Sequence, residues 1–140
     1  FVMCLAALVL TPRQTAVVLI GYTVLGAIGL PVFAGGVGGL GIIFGPRGGF
    51  FIGFLLAYTL MSMMKGKEPS FARYALVGTL VSVPVTYLIA TLWLTILFGD
   101  KFAGVVAAFM ALVQYIPGDL IKAVAAAALG VTLNRRLRYL

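Results

Sequence analysis

Histidine is absent from the 140 residues, cysteine occurs once, and aspartate and glutamate together number three. Without histidine the chain lacks the commonest general base and the commonest metal ligand. A lone Cys4 permits neither an internal disulfide nor a cysteine zinc site. It reads as a small apolar residue packed in a helix. No G-x-x-x-x-G-K-[ST] loop is present, so the chain carries no motif for hydrolysing ATP. Its only aspartates are Asp100 and Asp119, and Asp100 falls in a polar joint, which makes a catalytic carboxylate pair hard to assemble.

What is abundant is apolar surface. Hydrophobic residues make up 63% of the chain, charged residues 9%, and mean hydropathy is +1.19. A soluble domain is nearer half apolar and a quarter charged. The composition therefore predicts an all-α membrane protein, with length for roughly five spans of about 20 residues. The chain opens at Phe1 inside an apolar run, which reads as a helix cut within its length. Neither the basic region nor the cleavage site of a signal peptide is visible.

Short polar joints divide the apolar runs. Phe1 to Leu10 ends one helix, closed by Thr11-Pro12-Arg13, and Gln14 to Leu30 forms a second, ended by Pro31. Glycine then crowds the stretch from Val32 to Gly49. That composition makes poor helix, yet Leu40, Ile42, Ile43 and Phe44 are too apolar for a free aqueous loop. Irregular backbone at membrane depth needs protein or a cavity to cover it, so the segment is expected to fold back over the bundle and line a pocket. Gly49 to Met64 is a third span. Phe71 to Phe98 is a long fourth, kinked at Pro84. Phe102 to Ile116 is short for a crossing, and Pro117 to Leu137 is the last span, with proline at a favoured first helical position.

If the short segment only dips in, Arg13, Lys65, Lys67, Arg73, Arg135, Arg136 and Arg138 share one side, and Arg47 and Lys101 the other. That bias makes the first side, with the Lys65–Arg73 loop and the C-terminus, cytoplasmic. The net charge of +7 thus reads as topology signal and lipid-headgroup contact, with no nucleic-acid surface.

The same parity brings the glycine-rich loop and the start of the last helix to the outer side. There Asp119 and Lys122, three residues apart, share a helix face. Ionisable groups inside an apolar span usually face a bundle interior or cavity. Two readings remain open on spacing alone. The pair can neutralise itself, with the acid in the helix's first turn. Alternatively it bounds a polar pocket, the carboxylate accepting from ligand N–H groups and the ammonium meeting a ligand carbonyl or carboxylate.

Smaller features accompany these. Gly49-x-x-x-Gly53 matches a close-packing motif, while Gly35-x-x-x-Gly39 lies in the loop. Ala123 and Ala125 to Ala128 form a small-residue surface. Met61, Met63 and Met64 read as packing filler. Trp93, Tyr87 and Tyr115 read as interfacial anchors, with Tyr115 near enough to Asp119 to touch a ligand.

The runs Leu25-Gly26-Ala27-Ile28-Gly29-Leu30-Pro31-Val32-Phe33-Ala34-Gly35-Gly36, Gly38-Gly39-Leu40-Gly41 and Gly45-Pro46-Arg47-Gly48-Gly49-Phe50 resemble the signature of the BioY family. Ile116-Pro117-Gly118-Asp119-Leu120-Ile121-Lys122-Ala123 is similar to that family's second motif. BioY proteins are biotin-binding substrate-capture (S) components of energy-coupling-factor (ECF) transporters of prokaryotic cell membranes. The resemblance implies a six-helix bundle, of which about five helices are here and the first is missing. Residues 1–140 would then be one transmembrane substrate-capture domain, truncated at its N-terminus. It implies biotin held by Asp119 and Lys122, with Phe33, Ala34, Gly35 and Gly36 as a loop over its rings. Arg47 is placed to attract an anionic valerate or to sit as a solvated loop charge. The implied partners are a transmembrane coupling subunit and two ATP-binding cassette ATPases; no cofactor and no enzymatic step are implied. The rival readings are a structural membrane subunit, an S component for another small vitamin-like substrate, and an intramembrane enzyme.

Overall fold

The computed structural model describes residues 2–33, 35–97, 99 and 104–137. Ala34, Asp100, Lys101 and Arg138, which figured in the expectations above, lie outside the described residues. Among those described, secondary structure is helical apart from one isolated bridge between Phe33 and Val37. The elements are α1 (Val2–Val9), α2 (Pro12–Ala27), α3 (Leu40–Ile43), α4 (Gly48–Met64), α5 (Phe71–Val77), α6 (Val83–Leu97), α7 (Val105–Leu112) and α8 (Ile116–Leu137). A π turn, Gly78–Ser82, joins α5 to α6, and a 3-10 turn, Val113–Tyr115, joins α7 to α8. The five segments α1, α2, α4, α5–α6 and α8 form the bundle.

Two continuous helical runs, Phe71–Leu97 and Val105–Leu137, are long and apolar enough to cross a bilayer; Gly48–Met64 is apolar and shorter. The short segment expected to dip in on its own is instead continuous with the last helix. Its α7 packs on α6, while α8 packs on α1 and α5. The polarity of packing is that of a membrane bundle. Ala7, Ala57, Ala126 and Ala127 are fully buried, whereas Ile28, Leu80, Leu88, Ile96 and Ile121 stand outward. Small residues let backbones approach, and large apolar ones face lipid.

Local chemistry sets the boundaries. Thr11, expected in a joint, is the N-cap of α2: its hydroxyl accepts from the Gln14 N–H, and Gln14 reaches back to the Thr11 N–H at 3.1 Å. That helix stops at Ala27, before Pro31, because Gly29 takes φ 112°. Gly49 and Gly53 bring α4 against α6: a β-carbon on Gly49 would lie 2.9 Å from Ala90 Cα, and one on Gly53 3.1 Å from the Thr86 carbonyl oxygen. Along α8 the buried stripe is Ala123, Ala126, Ala127 and Gly130, while Ala125 and Ala128 face out.

One end of the bundle is tied by side chains on the carbonyls that end α1. Lys65 Nζ donates to Ala7 O at 3.1 Å and to Leu10 O, Ser62 donates to Leu10 O at 2.9 Å, and Asn134 donates to Leu8 O at 2.9 Å. These are the groups a helix C-terminus leaves unsatisfied. The bonds gather the ends of α1, α4 and α8 together. The start of α5 joins them, as Arg73 Nε donates to Met64 O at 3.0 Å and Asn134 Nδ2 to the Tyr74 hydroxyl at 2.6 Å. Arg13, Lys65, Lys67, Arg73, Arg135 and Arg136 therefore fall at one end of the bundle, and Arg47 at the glycine-loop end.

Candidate ligand-binding cavity

A cavity of about 650 Å³ opens among α1, α2, α4, the π turn with α6, and α8. That size suits a small molecule. Its walls are mostly apolar: Met3, Leu19, Tyr22, Phe33, Phe54 and Val83. Its polar side is made by Ser82, Thr86, Tyr87, Asp119 and Lys122, with Tyr58 and Cys4 nearby on the wall.

Phe33 is the loop's contribution. Its ring is 4% exposed, seated 5.5 Å from Tyr22 and 4.4 Å from Phe51 between centroids. It fits because Gly26 beneath it has no side chain. The loop returns to the same residue, the Gly39 N–H donating to Gly26 O at 2.6 Å. At its other end Trp93 Nε1 donates to Gly45 O at 2.9 Å. The glycine-rich stretch is thus folded back on the bundle and pinned at both ends.

Asp119 lies in the first turn of α8, where the helix dipole favours a carboxylate. Lys122 Nζ stands 3.9 Å from Asp119 Oδ1, an ion pair beyond hydrogen-bonding distance. The Tyr87 hydroxyl donates to Asp119 Oδ2. Tyr87 is 3% exposed and packs edge-on against Phe50. The reading of Tyr87 as an interfacial anchor is therefore corrected. Trp93, half-buried, lies with its side chain against Gly48 and Gly49.

Of the residues singled out from the sequence, Phe33, Asp119 and Lys122 meet on the cavity. Gly35 and Gly36 sit exposed at a turn with φ 88° and 69°, off the cavity wall. Tyr115 is 55% exposed and also off the wall. It precedes Asp119 by four residues, at the end of the 3-10 turn Val113–Tyr115 that leads into α8. Ser82, Thr86 and Tyr87 were not singled out as ligand contacts. Their signal is legible in hindsight: Ser82 and Thr86, four apart inside an apolar span, form a polar stripe.

A helical membrane bundle whose ion pair lines an open-sided, mainly apolar cavity has the layout of a small-molecule-binding membrane protein. The comparisons say which kind. The BioY family model matches residues 1–139, and the chain belongs to that family. It is 36% identical over 135 residues to a probable biotin transporter BioY of Pyrococcus horikoshii, covering 96% of this chain and 76% of the relative. Against the biotin transporter BioY of Thermotoga maritima the identity is 32%, covering 96% and 78%. The fold is similar to the crystal structure of the S-component for biotin from an ECF-type ABC transporter. The TM-score is 0.81 at 25% identity, with 95% of this chain and 71% of that one covered.

Proposed function

We propose that this chain captures biotin in a prokaryotic cell membrane as the substrate-specific subunit of an ECF-type transporter. The observation that carries the reading is the Asp119–Lys122 pair facing a largely aromatic and aliphatic cavity beneath Phe33. Biotin has the matching polarity: a ureido head with two N–H donors and a carbonyl, an apolar ring and chain, and a terminal carboxylate. The Asp119 carboxylate accepts from the ureido N–H groups, and the Lys122 ammonium donates to an oxygen of the ligand. Phe33 and Tyr22 cover the apolar rings. Gly35 and Gly36 form the exposed turn that follows Phe33, and Tyr115 contributes from outside the cavity wall. Such a site holds its ligand by exclusion of water, which strengthens both polar bonds.

No covalent step is needed. Uptake requires partners of the ECF module, a transmembrane coupling subunit and two ATP-binding cassette ATPases, to drive inward release. Residues 1–140 act in this scheme as one transmembrane capture domain in contact with membrane lipids. The basic end of the bundle, including the Lys65–Arg73 loop and the C-terminus, faces the cytoplasm, because short basic segments are retained there. The glycine loop then faces outward, toward the vitamin.

Labelled-biotin binding to the purified full-length protein tests the reading. Saturable binding is expected, lost when Asp119→Asn and Lys122→Met are combined in a variant that still folds. Binding that ignores those two changes, or none at all, defeats it in favour of a structural subunit or another ligand.

A further inference from the structure

We propose that Tyr87 is a positioning residue for ligand capture, fixing the Asp119 carboxylate through Oδ2 so that Oδ1 is left to the ligand, and that the π turn Gly78–Ser82 aims it there. The inference rests on the reading of this cavity as the biotin site.

Asp119 alone is a poor anchor for a ligand. Its side chain is 35% exposed, and Lys122, at 3.9 Å, does not hydrogen-bond it. Tyr87 supplies the missing restraint. Its ring is buried and wedged edge-on against Phe50, with centroids 5.9 Å apart and planes at 89°. A hydroxyl on a clamped ring is a fixed donor, and a hydrogen bond to a charged acceptor is among the stronger ones. With Oδ2 taken, the carboxylate plane is set before any ligand arrives, which lowers the ordering cost of binding.

The π turn explains why Tyr87 can reach. A widened turn inserts one extra residue and rotates all that follows by about 100° relative to an unbroken α-helix. Before the turn, Tyr74 and Val77 pack into the core formed with α1 and α8. From its last residue onward, Ser82, Val83, Thr86 and Tyr87 line the cavity. One unbroken helix would not present both sets inward. The wide turn is supported locally: the Ser82 hydroxyl donates to Gly78 O, and Pro84 has no N–H to lose from the ladder. Gly78 also lets α8 come close, since a β-carbon there would lie 3.3 Å from Ala123 Cβ.

The test is a double-mutant cycle on the full-length protein, reading biotin affinity and the melting temperature without biotin. Tyr87→Phe removes one oxygen and keeps the ring on Phe50. It is expected to weaken biotin binding on the order of tenfold, as for one hydrogen bond to a charged group, with the unliganded melting temperature unchanged. In an Asp119→Asn background the same change is expected to cost less than about twofold, because the two residues act as one unit. Equal losses in both backgrounds, or affinity within about twofold of wild type in Tyr87→Phe, overturn the proposal while leaving biotin capture intact. A fall in melting temperature that parallels the affinity loss in both backgrounds assigns Tyr87 to packing and overturns it too. Failure of the unmutated protein to bind biotin overturns the underlying reading, and this inference with it.

Discussion

The ring of Phe33 occupies the space that a β-carbon on Gly26 would need: such a carbon would fall 2.0 Å from Phe33 Cζ. The loop therefore closes on α2 through a ring set into a missing side chain, and the same ring forms one cavity wall. Gly26→Ala is expected to expel the ring and weaken biotin binding at least tenfold. The stability cost is expected at about 1–3 kcal/mol, as for overpacking. Phe33→Ala in the same background should make the glycine change nearly harmless, so the two variants are expected to be non-additive. Equilibrium binding and thermal melting of both single variants and the pair check this.

Glycines at helix contacts behave differently from the glycine under Phe33. A β-carbon on Gly49 would meet Trp93 Cβ at 2.6 Å and Ala90 Cα at 2.9 Å, atoms that cannot swing away. Gly49→Ala is expected to separate α4 from α6 and lower the melting temperature in detergent by several degrees. Gly21, on α2, has nothing within 4 Å of a β-carbon, so Gly21→Ala should leave it unchanged. Equal behaviour of the two variants would contradict the close packing described for Gly49.

These residues also indicate what a sequence can disclose. Gly49-x-x-x-Gly53 was readable as a packing motif because spacing alone puts both glycines on one face. The Asp119–Lys122 pair was readable because charge inside an apolar run is costly and so conspicuous. Tyr87 was not, since its direction depends on the π turn, which no simple periodicity announces. Tyr115 shows the limit of spacing: four residues before Asp119, it ends a 3-10 turn and is not among the residues of the cavity wall. Gly35 and Gly36 carry a loop motif without reaching the cavity wall, because Phe33 is the residue that turns inward.

Lys65 joins two helices by their ends, donating to the Ala7 and Leu10 carbonyls of the chain leaving α1. Lys65→Met is expected to destabilise the bundle by about 1–3 kcal/mol, the cost of leaving the Ala7 carbonyl without its side-chain donor while Ser62 still serves Leu10 O. Ser62→Ala should cost less, because Lys65 still serves Leu10 O. Biotin affinity should hold in both, since neither side chain lines the cavity. Denaturation in mixed micelles with a parallel binding measurement separates the two effects.

Trp93 is the single tryptophan of the chain and holds the glycine loop through Gly45 O at 2.9 Å. Its fluorescence should therefore report the loop directly, changing as biotin closes the site. Trp93→Phe keeps most of the ring that covers Gly48 and Gly49 but removes the donor. Losing one hydrogen bond to a loop carbonyl is worth about 1 kcal/mol, so biotin should dissociate about fivefold faster with little change in association. A slower or unchanged dissociation rate would show that the loop is held elsewhere.

Orientation is testable without any ligand. With Cys4→Ala removing the native thiol, Arg47→Cys and Lys67→Cys place single reporters at opposite ends of the bundle. A membrane-impermeant maleimide applied to intact cells is expected to label the Arg47→Cys protein, and to reach the Lys67→Cys protein only after the membrane is opened. The charge distribution demands this result: six basic residues among those described gather around Lys67's end, and the interior-facing loops of a membrane protein retain such charges. The reverse labelling would put the glycine loop inside the cell, where Phe33 would guard an exit and not an entrance, and the capture mechanism would have to run backward.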